Sequence, residues 1–181
     1  ALPEEGIFLR ECGITKPILC LGGFWKGQEE SILKQNLTPV IYRIEKAEAL
    51  DRVAGNLGLI TSAHIKIDTG MGRIGVRFDE VENFADRLSS FKNINFEGIM
   101  THFAAADSFE EKEFTKLQIE RFNESIKIFE QRGFSFAYQD LANSPASLAY
   151  PESHGNMVRL GGILYGLGDD ILPDWIEKPT V

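Results

Sequence analysis

The sequence predicts an α/β fold whose parallel sheet forms part of a TIM-type (β/α)8 barrel. Short apolar segments alternate along the chain with amphipathic segments, which is typical of a parallel sheet covered by helices. About six β units fit into the 181 residues, or roughly 30 residues per unit, the size of a βαβ repeat. A complete barrel typically has ~250 residues. We therefore expect an incomplete barrel of about six β/α units, in one domain over residues 1–181.

Six short apolar runs are predicted as strands, at 17–21, 39–42, 63–67, 94–100, 136–141 and 157–164. Helices are predicted between and before them, at 3–12, 29–35, 46–57, 79–91, 109–132 and near 146–150. The longest helix has an apolar stripe that is expected to be buried, formed by Phe114, Leu117, Phe122, Ile126 and Phe129. A doubly wound, nucleotide-binding sheet is possible as an alternative, but we expect neither a GxGxxG nor a GxxxxGK phosphate loop to support it.

Composition and charge exclude several classes of function. The chain is 43% hydrophobic and has a formal net charge of −8, whereas a nucleic-acid binder normally shows a concentrated basic face. No run approaches the ~20 apolar residues of a membrane span, and the N-terminus lacks a signal-peptide pattern. We expect no nucleic-acid or membrane partner, free thiols at Cys12 and Cys20 in a reducing cytoplasm, and no metal site. Because the first residue is Ala1, we expect a processed or cut chain.

The third predicted strand carries the first candidate site. His64, Lys66 and Asp68 alternate with apolar residues, so they share one face, which would point into the barrel. An unpaired buried ammonium is costly, so Lys66 needs an anionic partner, for which Asp68 is the candidate, or an altered charge state. The glycine-rich turn that follows allows Arg73 to swing back over the barrel mouth, where active sites of such barrels lie. The alternative is an edge strand with solvated polar residues.

Two further clusters follow the fourth and fifth predicted strands. His102 comes directly after an apolar strand, where a lone histidine is more often structural than catalytic. Asn143 and Ser144 precede a predicted helix. Either can cap that helix, and a helix N-terminus is also a natural phosphate site. From the residues alone, capping is the simpler interpretation.

The last cluster surrounds Arg159, which lies inside an otherwise apolar predicted strand. An arginine in such a position needs a partner. Gly161 and Gly162 follow it and leave backbone N–H groups open to a ligand. We therefore expect this segment to contribute to a binding site.

Taken in order, these clusters resemble alanine racemase, a family of barrel-type pyridoxal-phosphate enzymes. Four blocks carry the resemblance: KIDTGMGRIG at 66–75, THFAAAD at 101–107, NS at 143–144 and MVRLGGILYG at 157–166. Their spacing agrees as well, so the resemblance covers nearly the whole chain. The first and last blocks are specific, whereas the Asn-Ser pair alone would be weak.

The resemblance implies pyridoxal 5′-phosphate as the cofactor and suggests a role for several residues. Arg73 would bond the phenolic oxygen of the cofactor. Lys66 stands where the family often has a carbamylated lysine, whose anionic side chain would hold Arg73. His102 would support Arg159, and Arg159 would donate to the pyridine nitrogen.

The remaining positions would hold the phosphate. Ser144 and the backbone around Gly161 and Gly162 would bind it, with Asn143 beside them in the cofactor shell. The family commonly has a larger apolar residue in place of Gly162. Because a guanidinium does not readily give up a proton, Arg159 would leave the ring nitrogen largely unprotonated. The ring would then be a weaker electron sink, which favours racemisation over transamination.

The family's two bases have no counterpart in this chain. No lysine stands in the Lys-Ala-x-Ala-Tyr-Gly motif of the Schiff-base lysine, and the opposing tyrosine belongs to a C-terminal β domain that we expect to be absent. We expect the chain alone to be inactive and to bind the cofactor weakly or not at all. The intact enzyme would be a homodimer that interconverts L- and D-alanine through an aldimine and supplies D-alanine for peptidoglycan. The alternatives are a racemase for serine or another amino acid, and a non-enzymatic pyridoxal-phosphate carrier.

Overall fold

The computed structural model describes residues 2–167 of the chain. The strands are β1 (Leu19–Cys20), β2 (Thr38–Ile41), β3 (Thr61–Asp68), β4 (Val76–Arg77), β5 (Ile94–Met100) and β6 (Tyr138–Asp140). The helices are α1 (Pro3–Glu11), α2 (Glu29–Lys34), α3 (Ile44–Asn56), α4 (Val81–Leu88), α5 (Lys112–Glu130) and α6 (Ser144–Ala149). Two 3₁₀ helices follow α6, at Pro151–Ser153 and Gly162–Tyr165. None of these helices is long and apolar enough to cross a membrane.

The order of the strands identifies the architecture. All pairs in the sheet are parallel, and the spatial order β1-β2-β3-β5-β6 follows the order along the chain. The short β4 pairs with β3 beside this path. A doubly wound sheet reverses its strand order at a switch point, whereas a barrel adds each strand next to its predecessor. The prediction of a barrel-type parallel sheet is therefore confirmed, and residues 2–167 form a half-barrel.

The predicted sixth strand over 157–164 is wrong. Only Met157 joins the sheet, through a single parallel bridge to Asp140, and Gly162–Tyr165 form a 3₁₀ helix instead. The backbone leaves the extended conformation at Gly161, whose ψ of −104° lies outside the β region. Two adjacent glycines without Cβ atoms permit this turn, although the apolar pattern around them predicted a strand.

The other predicted elements are present, with differences at their ends. The strand over 94–100 has the predicted bounds, whereas β1 is limited to two of the five residues predicted. The sequence missed β4, because a strand of two residues has no measurable periodicity. The helices begin or end within a few residues of the predicted positions, the usual uncertainty for such boundaries.

The alternating residues of β3 connect the core to the site. Ala63, Ile65 and Ile67 are fully buried in the hydrophobic core, together with apolar residues of α3, α4 and α5. Successive side chains of a strand point to opposite faces, so His64 and Lys66 lie on the other face, and both are also buried. The predicted separation of apolar and polar faces is confirmed. It places an ammonium group inside the barrel wall.

Candidate functional site

Polar side chains gather at the carboxyl ends of β3, β5 and β6. Lys66 lies near the end of β3, His102 follows β5, and Asp140 is the last residue of β6. The strands are parallel neighbours, so their carboxyl ends lie at one edge of the sheet. Arg159 reaches the same edge from the segment after β6, where its backbone N–H donates to the carbonyl of Ala142 at 2.9 Å.

Arg159 is held by a set of acceptors that spans two strand ends. Its Nη1 forms an ion pair with the carboxylate of Asp140. Its Nη2 donates to the carbonyl of Thr101 at 2.8 Å and to Nδ1 of His102 at 3.2 Å. Asp140 is fully buried, and burial raises the pKa of its carboxyl group, while the adjacent Arg159 opposes that rise. The arginine predicted to need a partner therefore has a buried one.

The imidazole of His102 is neutral. Burial is the largest cause that lowers its pKa to about 4, and the positive charges of Arg159, Arg73 and Lys66 act in the same direction. An arginine can only donate hydrogen bonds, so Nδ1 of His102 must accept the bond from Arg159. The hydrogen of the ring is then on Nε2.

Lys66 is 4% exposed. Burial is the largest cause that lowers the pKa of its ammonium group to about 8, followed by the charges of Arg159 and Arg73. The carboxylates of Asp140 and Asp68 oppose this shift. Within residues 2–167, Lys66 makes no ion pair within 4 Å. A neutral amine is therefore accessible to Lys66 near physiological pH.

Asp68 is not the ion-pair partner predicted for Lys66. Its carboxylate accepts hydrogen bonds from the backbone N–H groups of Gly70 and Gly72, at 3.0 to 3.1 Å. These bonds shape the turn that follows β3, because a short carboxylate readily binds the N–H groups just after it in sequence. The carboxylate that was predicted to pair with Lys66 therefore binds the backbone of its own loop instead.

The loop after β3 carries Arg73, which is exposed. Gly70, Gly72 and Gly75 have the GxGxxG spacing, contrary to the expectation that no such loop exists. The loop leads into β4 and not into a helix, so it lacks the geometry of a dinucleotide loop. Gly75 has a φ of +143°, and a Cβ there would lie 2.4 Å from the backbone nitrogen of Asp68, so the close return of this loop requires glycine.

A buried network ties this loop to the segment after β5. Nε2 of Gln118, on α5, donates to the hydroxyl of Thr69 at 3.1 Å, and its Oε1 accepts from the N–H of Ala104 at 3.0 Å. The hydroxyls of Thr69 and Thr101 are 2.8 Å apart. Arg121, one turn further along α5, donates to the carbonyl of Thr69 at 2.9 Å. Helix α5 thereby positions the residues on both sides of His102.

The segment after β6 forms the remaining wall of the site. Asn143 caps α6, since its side chain accepts from the N–H of Ala146 at 3.2 Å. The hydroxyl of Ser144 accepts from the N–H of Gly161 at 2.9 Å. Gly162 begins a 3₁₀ helix, so its N–H has no acceptor within that helix. The structure therefore brings the predicted residues of these two clusters together.

An open cavity of about 560 Å³ lies between these groups, within the usual size range of small-molecule sites. Among its lining residues are Asn143, Ser144, Gly161, Gly162, His102 and Arg159. Lys66 and Arg73 do not line it but are close enough to affect the pKa of His102. A hydroxyl, backbone N–H groups and a guanidinium at one cavity can bind an anionic ligand.

Sequence reasoning missed three site residues, Asp140, Gln118 and Arg121. Asp140 stands at the end of a predicted region of strand, and the rule that barrel sites lie at strand ends could have found it. Gln118 and Arg121 lie on the longest helix with no local signal, because Thr69, to which both donate, is about 50 residues away in sequence.

The fold and the site define a class of protein, a barrel-type parallel α/β domain with a cationic small-molecule site at its strand ends. Residues 1–169 match the family model described as alanine racemase, N-terminal domain. The chain is 43% identical over 170 residues to an alanine racemase of Geobacter sp. strain M21, covering 92% of this chain and 45% of that protein. It is 40% identical over 183 residues to one of Halothermothrix orenii, covering 100% of this chain and 48% of that protein.

Solved structures agree with the sequence relatives. The alanine racemase of Clostridium difficile 630 in complex with cycloserine superposes with a TM-score of 0.90 at 35% identity, over 100% of this chain and 50% of that one. This chain belongs to the alanine racemase family. It spans about half the length of the curated relatives it matches.

Proposed function

We propose that the protein to which this chain belongs is an alanine racemase that uses pyridoxal 5′-phosphate to interconvert L- and D-alanine. The observation that carries the proposal is the position of Arg159, clamped by Asp140, Thr101 and His102 beside a cavity that Ser144 also lines. Family membership supports the same reaction.

The residues of the cavity fit this cofactor. A phosphate needs hydrogen-bond donors, and the cavity offers the hydroxyl of Ser144 and the backbone N–H of Gly162, with Asn143 beside them. The N–H of Gly161 donates to the hydroxyl of Ser144, so it would turn from that hydroxyl to the phosphate when the cofactor binds. A heteroaromatic nitrogen needs a single donor, and Nε of Arg159 carries no hydrogen bond within residues 2–167. Arg73, on the loop after β3, would hold the phenolic oxygen.

When bound, pyridoxal phosphate supplies the electron sink that makes the Cα–H of an amino acid acidic. Arg159 donates a hydrogen bond without giving up its proton, because a guanidinium stays charged and Asp140 stabilises that charge. His102 contributes an acceptor that keeps Nη2 of Arg159 occupied. No lysine of this chain lies in the Schiff-base motif, so we infer that other parts of the whole protein supply the bases that act at Cα.

Lys66 would act as an anion after carbamylation. Its depressed pKa leaves part of its amine neutral. A neutral Nζ can attack the carbon of CO₂ and form an N–C bond, while one C=O π bond of CO₂ breaks and its electron pair moves to oxygen. Nζ then releases one proton to solvent. The product is negatively charged, and Arg73 and Arg159 are the cations whose charge Lys66 already senses. This step replaces a costly buried ammonium with an anion that has cationic neighbours.

We propose a homodimer in the cytoplasm whose substrate is free alanine and whose product D-alanine supplies the cell wall. A serine racemase is distinguished by competition, because serine would then be turned over faster than alanine. A non-enzymatic carrier would bind pyridoxal phosphate and racemise neither amino acid.

The whole protein provides the test. We expect it to bind pyridoxal phosphate and racemise alanine, and to lose about tenfold or more in cofactor affinity in Ser144→Ala, because a hydrogen bond to a charged group is removed. Ser147→Ala is the matched control on the same helix, since its hydroxyl donates to the carbonyl of Ser144 outside the cavity lining. Cofactor binding without racemisation, or equal effects of the two variants, would refute the proposal.

A further inference from the structure

Asp140 is a buried carboxylate whose ion-pair partner, within residues 2–167, is Arg159. The backbone of Asp140 belongs to the sheet: its carbonyl accepts from the N–H of Thr101 at 3.0 Å, and the residue bridges to Met157. The position of the carboxylate is therefore set by the rigid barrel wall and not by a loop. Its side chain is fully inaccessible to solvent.

Such a carboxylate constrains the guanidinium strongly. A buried charge without a partner is costly, so Asp140 and Arg159 each require the other. With Nη1 at Asp140 and Nη2 at the carbonyl of Thr101 and at His102, two of the three guanidinium nitrogens are occupied inside the protein. Nε is the nitrogen left for a ligand.

The other charges around the site leave Asp140 as the counterion of Arg159. Lys66, Arg73 and Arg159 bring positive charge to this edge of the sheet. Burial lowers the pKa of Lys66 most, and both arginines lower it further. The carboxylate of Asp68 accepts hydrogen bonds from backbone N–H groups of the loop. Asp140 is thus the carboxylate that contacts the guanidinium of Arg159. The orientation of this guanidinium decides which of its nitrogens faces the cavity.

We propose that Asp140 is a positioning residue, which clamps Nη1 of Arg159 so that Nε is presented to the ring nitrogen of the cofactor. This inference rests on the proposed function for the identity of the ligand, but the clamp itself is a property of the protein without cofactor. Asp140 does not touch substrate or cofactor and acts only through Arg159.

The first test is made without cofactor, on the whole protein, by ¹⁵N NMR of the arginine side chains. The Arg159 signals are identified by their loss in Arg159→Lys. We expect the Nη hydrogens to exchange with water about tenfold faster in Asp140→Asn than in wild type, because the ion pair with the carboxylate is lost. Glu97→Gln is the matched control: it removes another carboxylate of the barrel wall, one that pairs with His64 and not with Arg159. It should leave the Arg159 signals unchanged.

The second test uses the loaded enzyme. Asp140→Asn is expected to lower kcat about 10- to 100-fold, the effect of a misplaced group, while KM for alanine changes little because Asp140 does not contact the substrate. Cofactor affinity should fall as well. In Glu97→Gln, kcat and cofactor affinity should be those of wild type.

Equal exchange of the Arg159 hydrogens in Asp140→Asn and wild type would overturn the proposal, as would rapid exchange in wild type itself. The wild-type measurement decides even if Asp140→Asn does not fold. If wild type binds no pyridoxal phosphate, the proposed function fails, and the exchange measurement still decides whether Asp140 clamps Arg159. Slow exchange that depends on Asp140, with an unchanged kcat, would also contradict a positioning role.

Discussion

Nη2 of Arg159 donates a hydrogen bond to Nδ1 of His102 at 3.2 Å, across 57 residues of sequence. A donor that faces Nδ1 requires a free lone pair there, so the contact exists only while the imidazole is neutral. A proton on Nδ1 would place two positive charges against each other in a half-buried site. Burial and this pair therefore both favour a neutral His102, and the pair makes the site sensitive to acid.

His102 is expected to stay neutral, with its hydrogen on Nε2, until the pH falls to about 4. ¹⁵N NMR of the ring nitrogens measures both the tautomer and the midpoint. Because the folded-state pKa is depressed below the ordinary histidine value of 6.5, the unfolded state binds the proton first. Stability is then lost as the pH falls from about 6.5 to about 4. A His102→Gln variant should lack this part of the loss of stability at low pH. A midpoint near the ordinary value of 6.5 would contradict the prediction.

Lys66 is expected to titrate with a pKa of about 8 in the absence of CO₂. Arg73→Gln should raise this pKa, because it removes a nearby positive charge, and Asp140→Asn should lower it further, because it removes a negative one. The ¹³C shift of the Lys66 side chain during a pH titration reports each value. Shifts in the same direction in both variants would show that these charges do not control the amine.

Gln118 and Thr115 lie on the same buried face of α5 but are expected to respond in opposite ways. Gln118→Leu removes the acceptor for the N–H of Ala104 and should cost about 1 to 3 kcal/mol. The hydroxyl of Thr115 is buried with no partner within residues 2–167, so Thr115→Val should be neutral or stabilising. Thermal unfolding and hydrogen exchange at the amide of Ala104 check the pair. Comparable losses in both variants would count against the network.

Gly98 is expected not to tolerate alanine, because a Cβ there would lie 2.4 Å from Cε1 of His64 on the neighbouring strand. Gly98→Ala should lower stability by about 1 to 3 kcal/mol, the usual cost of overpacking. In the double variant with His64→Ala, the clash is absent, so the loss should be smaller than the sum of the single losses. Strictly additive thermal unfolding data would exclude this contact.

The predicted bounds matched best where the local pattern was strong. The strand over 94–100 has the predicted bounds, and β3 separates Ala63, Ile65 and Ile67 from His64 and Lys66 as alternation requires. The prediction of a strand over 157–164 was wrong, because the segment has the apolar composition of a strand but its backbone leaves the extended conformation at Gly161. Periodicity detects buried faces but does not detect a single backbone torsion.

The sequence by itself determined the barrel-type alternation of strands and helices and the positions of the polar clusters, since both follow from side-chain spacing along a chain of fixed geometry. Only the tertiary structure decided which charges meet. Asp68 binds the backbone of its own loop. Asp140, 19 residues before Arg159, is the buried counterion of that arginine. Such pairs depend on the parallel register of β5 and β6, on the bridge of Met157 to Asp140 and on the backbone hydrogen bond from Arg159 to Ala142. These contacts bring distant residues within hydrogen-bond range. No local pattern encodes that distance.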